Sequence, residues 1–120
     1  MNKRSIGTFY EEAVAAYLTD HNIKILAKNY RCKFGEIDLI GKEGDCIIFF
    51  EVKYRKNDSF GNPLMAVTDK KQKTICKCAT LYCLKHQEIS QIRYDVIGIL
   101  GSEITWIKNA FAHQGYSFLT

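Results

Sequence analysis

A chain of 120 residues, 47% hydrophobic and 25% charged, is long enough for one substantial core and too short for two, so a single domain is expected over residues 1–120. No apolar run approaches the roughly 20 residues of a membrane span, and Met1-Asn2-Lys3-Arg4 leads into an amphipathic pattern rather than a signal-peptide centre, so the expectation is a cytoplasmic protein without a membrane partner. The net charge of +4 and pI of about 8.8 are compatible with nucleic-acid binding but fall short of a strongly basic footprint.

Taken in order, Ile6 to Leu18 reads as a helix. Ile6, Phe9, Ala13, Ala16 and Tyr17 mark an apolar stripe at helical spacing, widened by Val14 and Leu18. Ser5 is a candidate N-cap, with Thr8 a weaker one. Glu11 and Glu12 sit mid-helix, where solvated surface is the ordinary fate of a glutamate. Thr19-Asp20-His21-Asn22 breaks the pattern, and Ile23–Ala27 resumes as a strand. Asn29-Tyr30-Arg31-Cys32-Lys33-Phe34 follows, basic and aromatic by turns. Two readings of it stand: Arg31 and Lys33 grip a phosphate backbone, or they are the polar face of one strand.

The chain is organised around what comes next. Two β-prone runs, Glu36–Ile40 and Cys46–Val52, flank a break containing Gly44-Asp45. Glycine followed by aspartate suits a two-residue type II′ hairpin loop. Counting outward from it pairs Glu43 with Cys46, Ile40 with Phe49, Asp38 with Glu51 and Glu36 with Lys53. Residues directly opposite share a face, and like charges so placed destabilise a sheet. Partial burial on strands this apolar favours protonating one of the acids. A hard divalent cation removes the conflict, since Mg²⁺ takes oxygen ligands and is often held by one or two carboxylates. Lys53 beside the pair is suited to stabilising developing negative charge or positioning a water. Asp38, Glu51 and Lys53 thus form a kit for metal-assisted phosphodiester hydrolysis; the plainer reading is an exposed, charged hairpin end.

Lys53-Tyr54-Arg55-Lys56 continues from the hairpin, with Arg55 keeping the alternation of Glu51 and Lys53. A turn-rich stretch, Asn57 to Pro63, precedes a long helix from Leu64 or Met65 to about Lys85. Val67, Ile75, Ala79, Tyr82 and Cys83 are its expected buried stripe. Lys70, Lys71 and Lys73 lie in its first turns, where cations oppose the helix dipole; phosphate binding and a charged solvent face are both open as reasons. Gln91–Leu100 reads as a strand and Glu103–Lys108 alternates as a final one, the two joined near Gly101-Ser102, with a tail from about His113. The five cysteines include no C-x-x-C and no zinc-finger spacing. On a helix Cys76 and Cys83 share a face while Cys78 points elsewhere, so buried, reduced thiols are expected. The sum is an α/β single domain, a central mixed β-sheet flanked by helices.

Gly35-Glu36-Ile37-Asp38-Leu39-Ile40 followed by Phe50-Glu51-Val52-Lys53 resembles the YraN-like family of uncharacterised bacterial proteins. That family is grouped with the PD-(D/E)xK nuclease superfamily and is similar to Holliday-junction resolvases. The resemblance covers nearly the whole chain, with Ile37 where the nominal motif has proline. It implies a restriction-endonuclease-like core and Mg²⁺ or Mn²⁺ as cofactor, held by Asp38 and Glu51. The family's G-E-x-x-A motif maps its glutamate onto Glu11, here preceded by Tyr10 in place of glycine, so the resemblance adds Glu11 to the metal-site and catalytic residues. Its T-x-x-K motif falls on Thr68 to Lys71, making Lys71 and Gln72 candidate substrate contacts with Arg31, Lys33 and Arg55. Phe60-Gly61-x-Pro63 resembles a recurrent family loop. Arg93-Tyr94-Asp95-Val96-Ile97 resembles R-F-D-V-x, with Asp95 expected in a structural role, bracing Arg93 or a basic residue nearby.

The expected function is a metal-dependent endonuclease acting on DNA, with branched or damaged DNA as candidate substrates and a homodimer as a candidate assembly. Two readings from other classes stand beside it. One is a nucleic-acid-binding module that does not cut; the other is an interaction subunit of a DNA repair or uptake assembly that uses the acidic cluster for docking.

Overall fold

Gly44 has φ 58° whereas Asp45 keeps a negative φ, as a type II′ loop requires. The computed structural model describes residues 3–57, 61 and 67–115, and side chains from residue 7 onward. The loop joins β2 (Gly35–Glu43) to β3 (Cys46–Arg55), and the pairing runs Glu43 to Cys46, Ile40 to Phe49 and Leu39 to Phe50. That is the register counted from the sequence, but the ladder stops at Leu39. Asp38 and Glu51 are not laddered partners, and Glu36 does not face Lys53; it pairs instead with Arg31 of β1 (Lys24–Cys32).

The cause is a paired phase break. Ala27, Tyr30 and Cys32 of β1 all pack on one core, as do Ile37 and Ile40 of β2, so strict alternation fails in both strands between these residues. The opposed residues at the break are Asn29 and Asp38, which fall between the pairs Lys28–Leu39 and Tyr30–Ile37. Asn29 has φ 52°, a left-handed conformation that asparagine tolerates better than most residues. β2 therefore turns away from β3 at Asp38, and the side chain fills the gap: Val52 N–H donates to Asp38 Oδ2 at 2.7 Å, where a strand carbonyl would otherwise accept.

The sheet is completed by β4 (Gln91–Leu100) and β5 (Glu103–Phe111), in the order β1-β2-β3-β4-β5. β3 and β4 run parallel and the other neighbours antiparallel. Parallel neighbours need a crossover, which contains α2 (Asp69–Lys85). This helix lies over one face, where Ile75, Ala79, Tyr82 and Cys83 pack on Ile37, Ile40, Phe49 and Tyr94. On the other face Val14, Ala15 and Leu18 of α1 (Lys3–Asp20) pack on Leu39, Ile48, Phe50 and Ile97. Fully buried side chains of this size contribute about 1.5–3 kcal/mol each. The protein is thus a single-domain α/β fold with a mixed sheet between two helices.

Two details depart from the sequence reading. The buried edge of α1 is Val14, Ala15 and Leu18, while Phe9 is 56% exposed and Ala13 and Ala16 face outward. Cys78 is buried together with Cys76 and Cys83 rather than turned from the core. α2 begins at Asp69, with the Thr68 hydroxyl accepting from Lys71 N–H as its N-cap. The proposed loop residues Phe60 and Pro63, and the Leu64 or Met65 helix start, lie outside the described residues.

On the α1 face, Asp95 is completely buried and fully engaged. It accepts from Arg93 Nε and Nη2, from Trp106 Nε1 at 2.9 Å and from Asn109 N–H at 2.8 Å. Asn109 lies where the β4–β5 register shifts, so Asp95 pins a bulge in the edge strand. Arg93 reaches on to Glu43 at 2.9 Å, tying β4 to the hairpin.

Candidate active site

Alternation in β3 sends Ile48, Phe50, Val52 and Tyr54 to the α1 face. Glu51 and Lys53 therefore project on the α2 side. Glu51 is 3% exposed, although it is a carboxylate, and Asp38 is 8% exposed. Lys53 Nζ lies 3.3 Å from Glu51 Oε1, and Lys71 Nζ, from the first turn of α2, lies 3.8 Å from the same oxygen. The second oxygen, Oε2, is buried and has no hydrogen-bond partner among the described residues. Buried polar atoms are nearly always paired, and each exception asks for an explanation.

The electrostatics follow from this geometry. Burial and then the neighbouring Asp38 charge push the Glu51 carboxyl up to about 7, against the pull of Lys71 and Lys53. Burial also raises Asp38, opposed by the Val52 N–H and by Lys71. Glu11 comes from α1 and is raised by burial and by the Asp38 charge, with the Asn29 side chain beside it pulling the other way. The phase-break residue Asn29 thus supports a glutamate of the site. Two acids and two lysines meet where β2 leaves β3, with a third acid reaching in from the other helix.

The set suits a cation that needs few protein ligands. Asp38 and Glu51 offer carboxylate oxygens, and Glu51 Oε2 is a buried acceptor with no partner among the described residues. Among the described residues, no three His, Cys, Asp or Glu side chains gather closely enough to hold a metal ion. Glu11 does not close a three-carboxylate cage with Asp38 and Glu51. A two-carboxylate Mg²⁺ site completed by substrate phosphates has the expected composition, and the pair fits it.

The other expected contacts are spread more widely. Arg31 Nε lies 3.4 Å from Glu36 Oε2 on the exposed β1–β2 surface. Lys33 Nζ stands 5.2 Å from the Phe34 ring centre. Arg55 Nη1 donates to the Tyr54 carbonyl. Lys71 alone of these candidates approaches Glu51. Gln72 is engaged elsewhere, donating to the Val67 carbonyl and accepting from Gln114. A cleft of about 350 Å³ lies at the Gly44-Asp45 end of the sheet, lined by Lys42, Asp45, Tyr82 and His86, and includes none of the acidic site residues. Sequence reasoning missed Asn29; an asparagine amid a β-prone run was the signal.

The model of the uncharacterised protein family UPF0102 matches residues 10–99, which span every strand except β5. The chain belongs to the UPF0102 family. A UPF0102 protein of Lachnoclostridium phytofermentans is 43% identical over 117 residues, covering 96% of this chain and 99% of that one. UPF0102 proteins of Legionella pneumophila strain Corby and Vibrio parahaemolyticus are 41% and 42% identical, covering 88% and 92% of this chain and 92% and 95% of theirs. Within the family-matched region lie Glu11, Asp38, Glu51, Lys53 and Lys71. No helix among the described residues is long and apolar enough to cross a membrane.

Proposed function

We propose that this UPF0102 protein is a metal-dependent endonuclease of the PD-(D/E)xK type that hydrolyses phosphodiester bonds in DNA. The observation that carries the reading is the buried Glu51 Oε2, without a partner among the described residues, beside a second buried carboxylate and two lysines. A core built for stability alone gains nothing from that arrangement, since an unpaired buried polar atom costs about 1–3 kcal/mol.

Asp38 and Glu51 would hold Mg²⁺ or Mn²⁺, which supplies Lewis-acid polarisation of the phosphate and acidifies a bound water. The chain's own contributions are separable. Asp38 is oriented by the Val52 N–H and cannot swing away without losing that bond. Lys53 and Lys71 hold positive charge beside Glu51, where a pentavalent phosphorane would gather negative charge. Lys53 is also placed to orient an attacking water. Glu11, beside Asn29, adds negative charge on the α1 side and supports the cation. Lys33, Arg31 and Arg55 supply outlying phosphate contacts, which position a nucleic acid without reading its sequence.

The test is a cleavage panel with Mn²⁺, using linear, nicked, flapped and four-way DNA, on the parent and on Glu51→Gln and Lys53→Met. Cleavage by the parent that both variants lose supports the reading. Salt-sensitive binding with no cleavage by any of them supports a non-cleaving binding module instead. Absence of both points to the acidic site as a docking patch in a repair or uptake assembly.

A further inference from the structure

We infer that Cys32 and Cys78 form a redox site, a dithiol that closes to a disulfide joining β1 to α2. The two sulfurs lie 2.7 Å apart. Non-bonded carbon atoms rest at about 3.5–4.0 Å, and sulfur is larger than carbon. The pair is therefore already inside ordinary contact, close to the roughly 2.03–2.05 Å of a bond. Among the described residues no other two cysteine sulfurs are brought together by a hydrogen bond.

The surrounding packing explains why they meet. Thr74, Cys78 and Tyr82 recur at four-residue spacing on α2 and so form one ridge along the helix. A Cβ on Gly35 would lie 2.8 Å from Thr74 Cγ2, so Gly35 lets the ridge seat closely on the end of β1 and β2. Tyr82 packs edge-on against Tyr30 at 5.3 Å. Between these two contacts the ridge drives Cys78 onto Cys32, the laddered partner of Gly35.

The two thiols differ in access. Cys32 is half-buried and its sulfur accepts the Phe34 N–H at 3.3 Å, so a reagent reaches it first. Cys78 is buried, and its thiol is pushed up to about 12 by burial and by the Cys32 thiol. With a low-molecular-weight disulfide as oxidant, the Cys32 thiolate attacks one sulfur of the reagent and expels the other as a thiolate. Cys78, losing its proton to solvent, then attacks Cys32 and expels the second reagent thiolate. The protein gives up two hydrogens, and one oxidant molecule becomes two thiols.

Closure would fasten the β1–β2 turn, with Lys33, Phe34 and Glu36, to the helix that carries Lys71. The inference is independent of nuclease activity. The full-length protein is equilibrated with oxidised glutathione, and free thiols are counted under denaturing conditions before and after. The expected result is a fall from five free thiols to three, reversed by dithiothreitol, with peptides containing Cys32 and Cys78 joined in a digest. The thermal midpoint should rise on oxidation, and amides of residues 33–36 should exchange more slowly. Cys32→Ser, at the more exposed position, should abolish the cross-link and both effects; it also serves if Cys78→Ser fails to fold. Retention of five thiols, a stable glutathione adduct on Cys32 without closure, or a bridge between other cysteines would overturn the inference.

Discussion

Glu51→Gln is the most direct probe of the site, because it removes one ionisation and little volume. Below about pH 4, Glu51 is protonated whether the chain is folded or not, and parent and variant should be equally stable. As pH rises past 4.5, the unfolded chain releases the proton while the folded chain keeps it until about 7. The folded state then binds more protons than the unfolded one, so stability must fall with rising pH in that window. The full rise from 4.5 to about 7 corresponds to about 3 kcal/mol, which already includes the attraction of Lys53 and Lys71. Asp38 and Glu11 are raised as well and steepen the parent's decline, but both remain in the variant. Glutamine stays neutral throughout. Above pH 7 the variant should therefore be the more stable protein by about 2–3 kcal/mol. Urea unfolding of both proteins from pH 4 to pH 9, in the presence of chelator, measures the gap directly. Parallel curves, or a variant less stable than the parent at pH 8, would falsify the claim that Glu51 is held in a site hostile to its charge.

Three further outcomes are expected. Mn²⁺ should stabilise the parent by about 2.7 kcal/mol at a hundredfold excess over its Kd, and most strongly above pH 7, because binding must displace the Glu51 proton. Asp38→Asn, whose amide oxygen still accepts the Val52 N–H, should fold yet lose that shift; an equal Mn²⁺ effect in thermal scans of both proteins would place the ion elsewhere. Lys71→Met removes a charge that lowers Glu51, so the Glu51 titration followed by carboxyl NMR should move to higher pH, and an unchanged midpoint would dismiss Lys71 as its partner. Asp95→Ala leaves the Arg93 guanidinium with Glu43 alone and strands the Trp106 N–H and the Asn109 N–H, and a cost of about 3–5 kcal/mol in urea unfolding is expected; a loss below about 1 kcal/mol, the scale of one ordinary hydrogen bond, would mean that the bulge is held by other contacts.

Much of the fold was legible because local signals agreed with tertiary demands. Gly44-Asp45 set the loop, and the loop set the register as far as Leu39 and Phe50. The apolar run within Gln91–Leu100 marked β4 with its observed bounds. What failed was the assumption that alternation continues. The phase break at Asn29 and Asp38 is a property of two strands together, and neither strand alone announces it. For the same reason Asp38 and Glu51 were expected as cross-strand neighbours, whereas the Asp38 carboxylate takes over the bond that a carbonyl would have made. The face of α1 was misassigned because alanine is compatible with either side of a helix. Phe9 falls on the apolar stripe by helical spacing, yet an exposed apolar side chain is common. The approach of Lys71 to Glu51 joins a residue of β3 to the first turn of α2 across the connection between them, a distance no spacing rule measures.

The parallel pairing of β3 with β4 also bears on the order in which the molecule assembles. β1, β2 and β3 are joined by short turns, so their antiparallel pairings close at little entropic cost. β4 meets β3 only after the crossover containing α2 has been drawn back across the sheet, and such long-range pairings form slowly. The acids Asp38 and Glu51 belong to the early, local part; Lys71 and the bracing Asp95 arrive with the late part. A nascent chain would therefore bring its two carboxylates together before either Lys71 or the second half of the core could compensate them. Mild acid should speed folding by neutralising that pair, and Asp38→Asn should fold faster than the parent at pH 8 with the difference vanishing near pH 4. Stopped-flow refolding at the two pH values would expose the repulsion as a rate, where equilibrium measurements see only its sum with everything else.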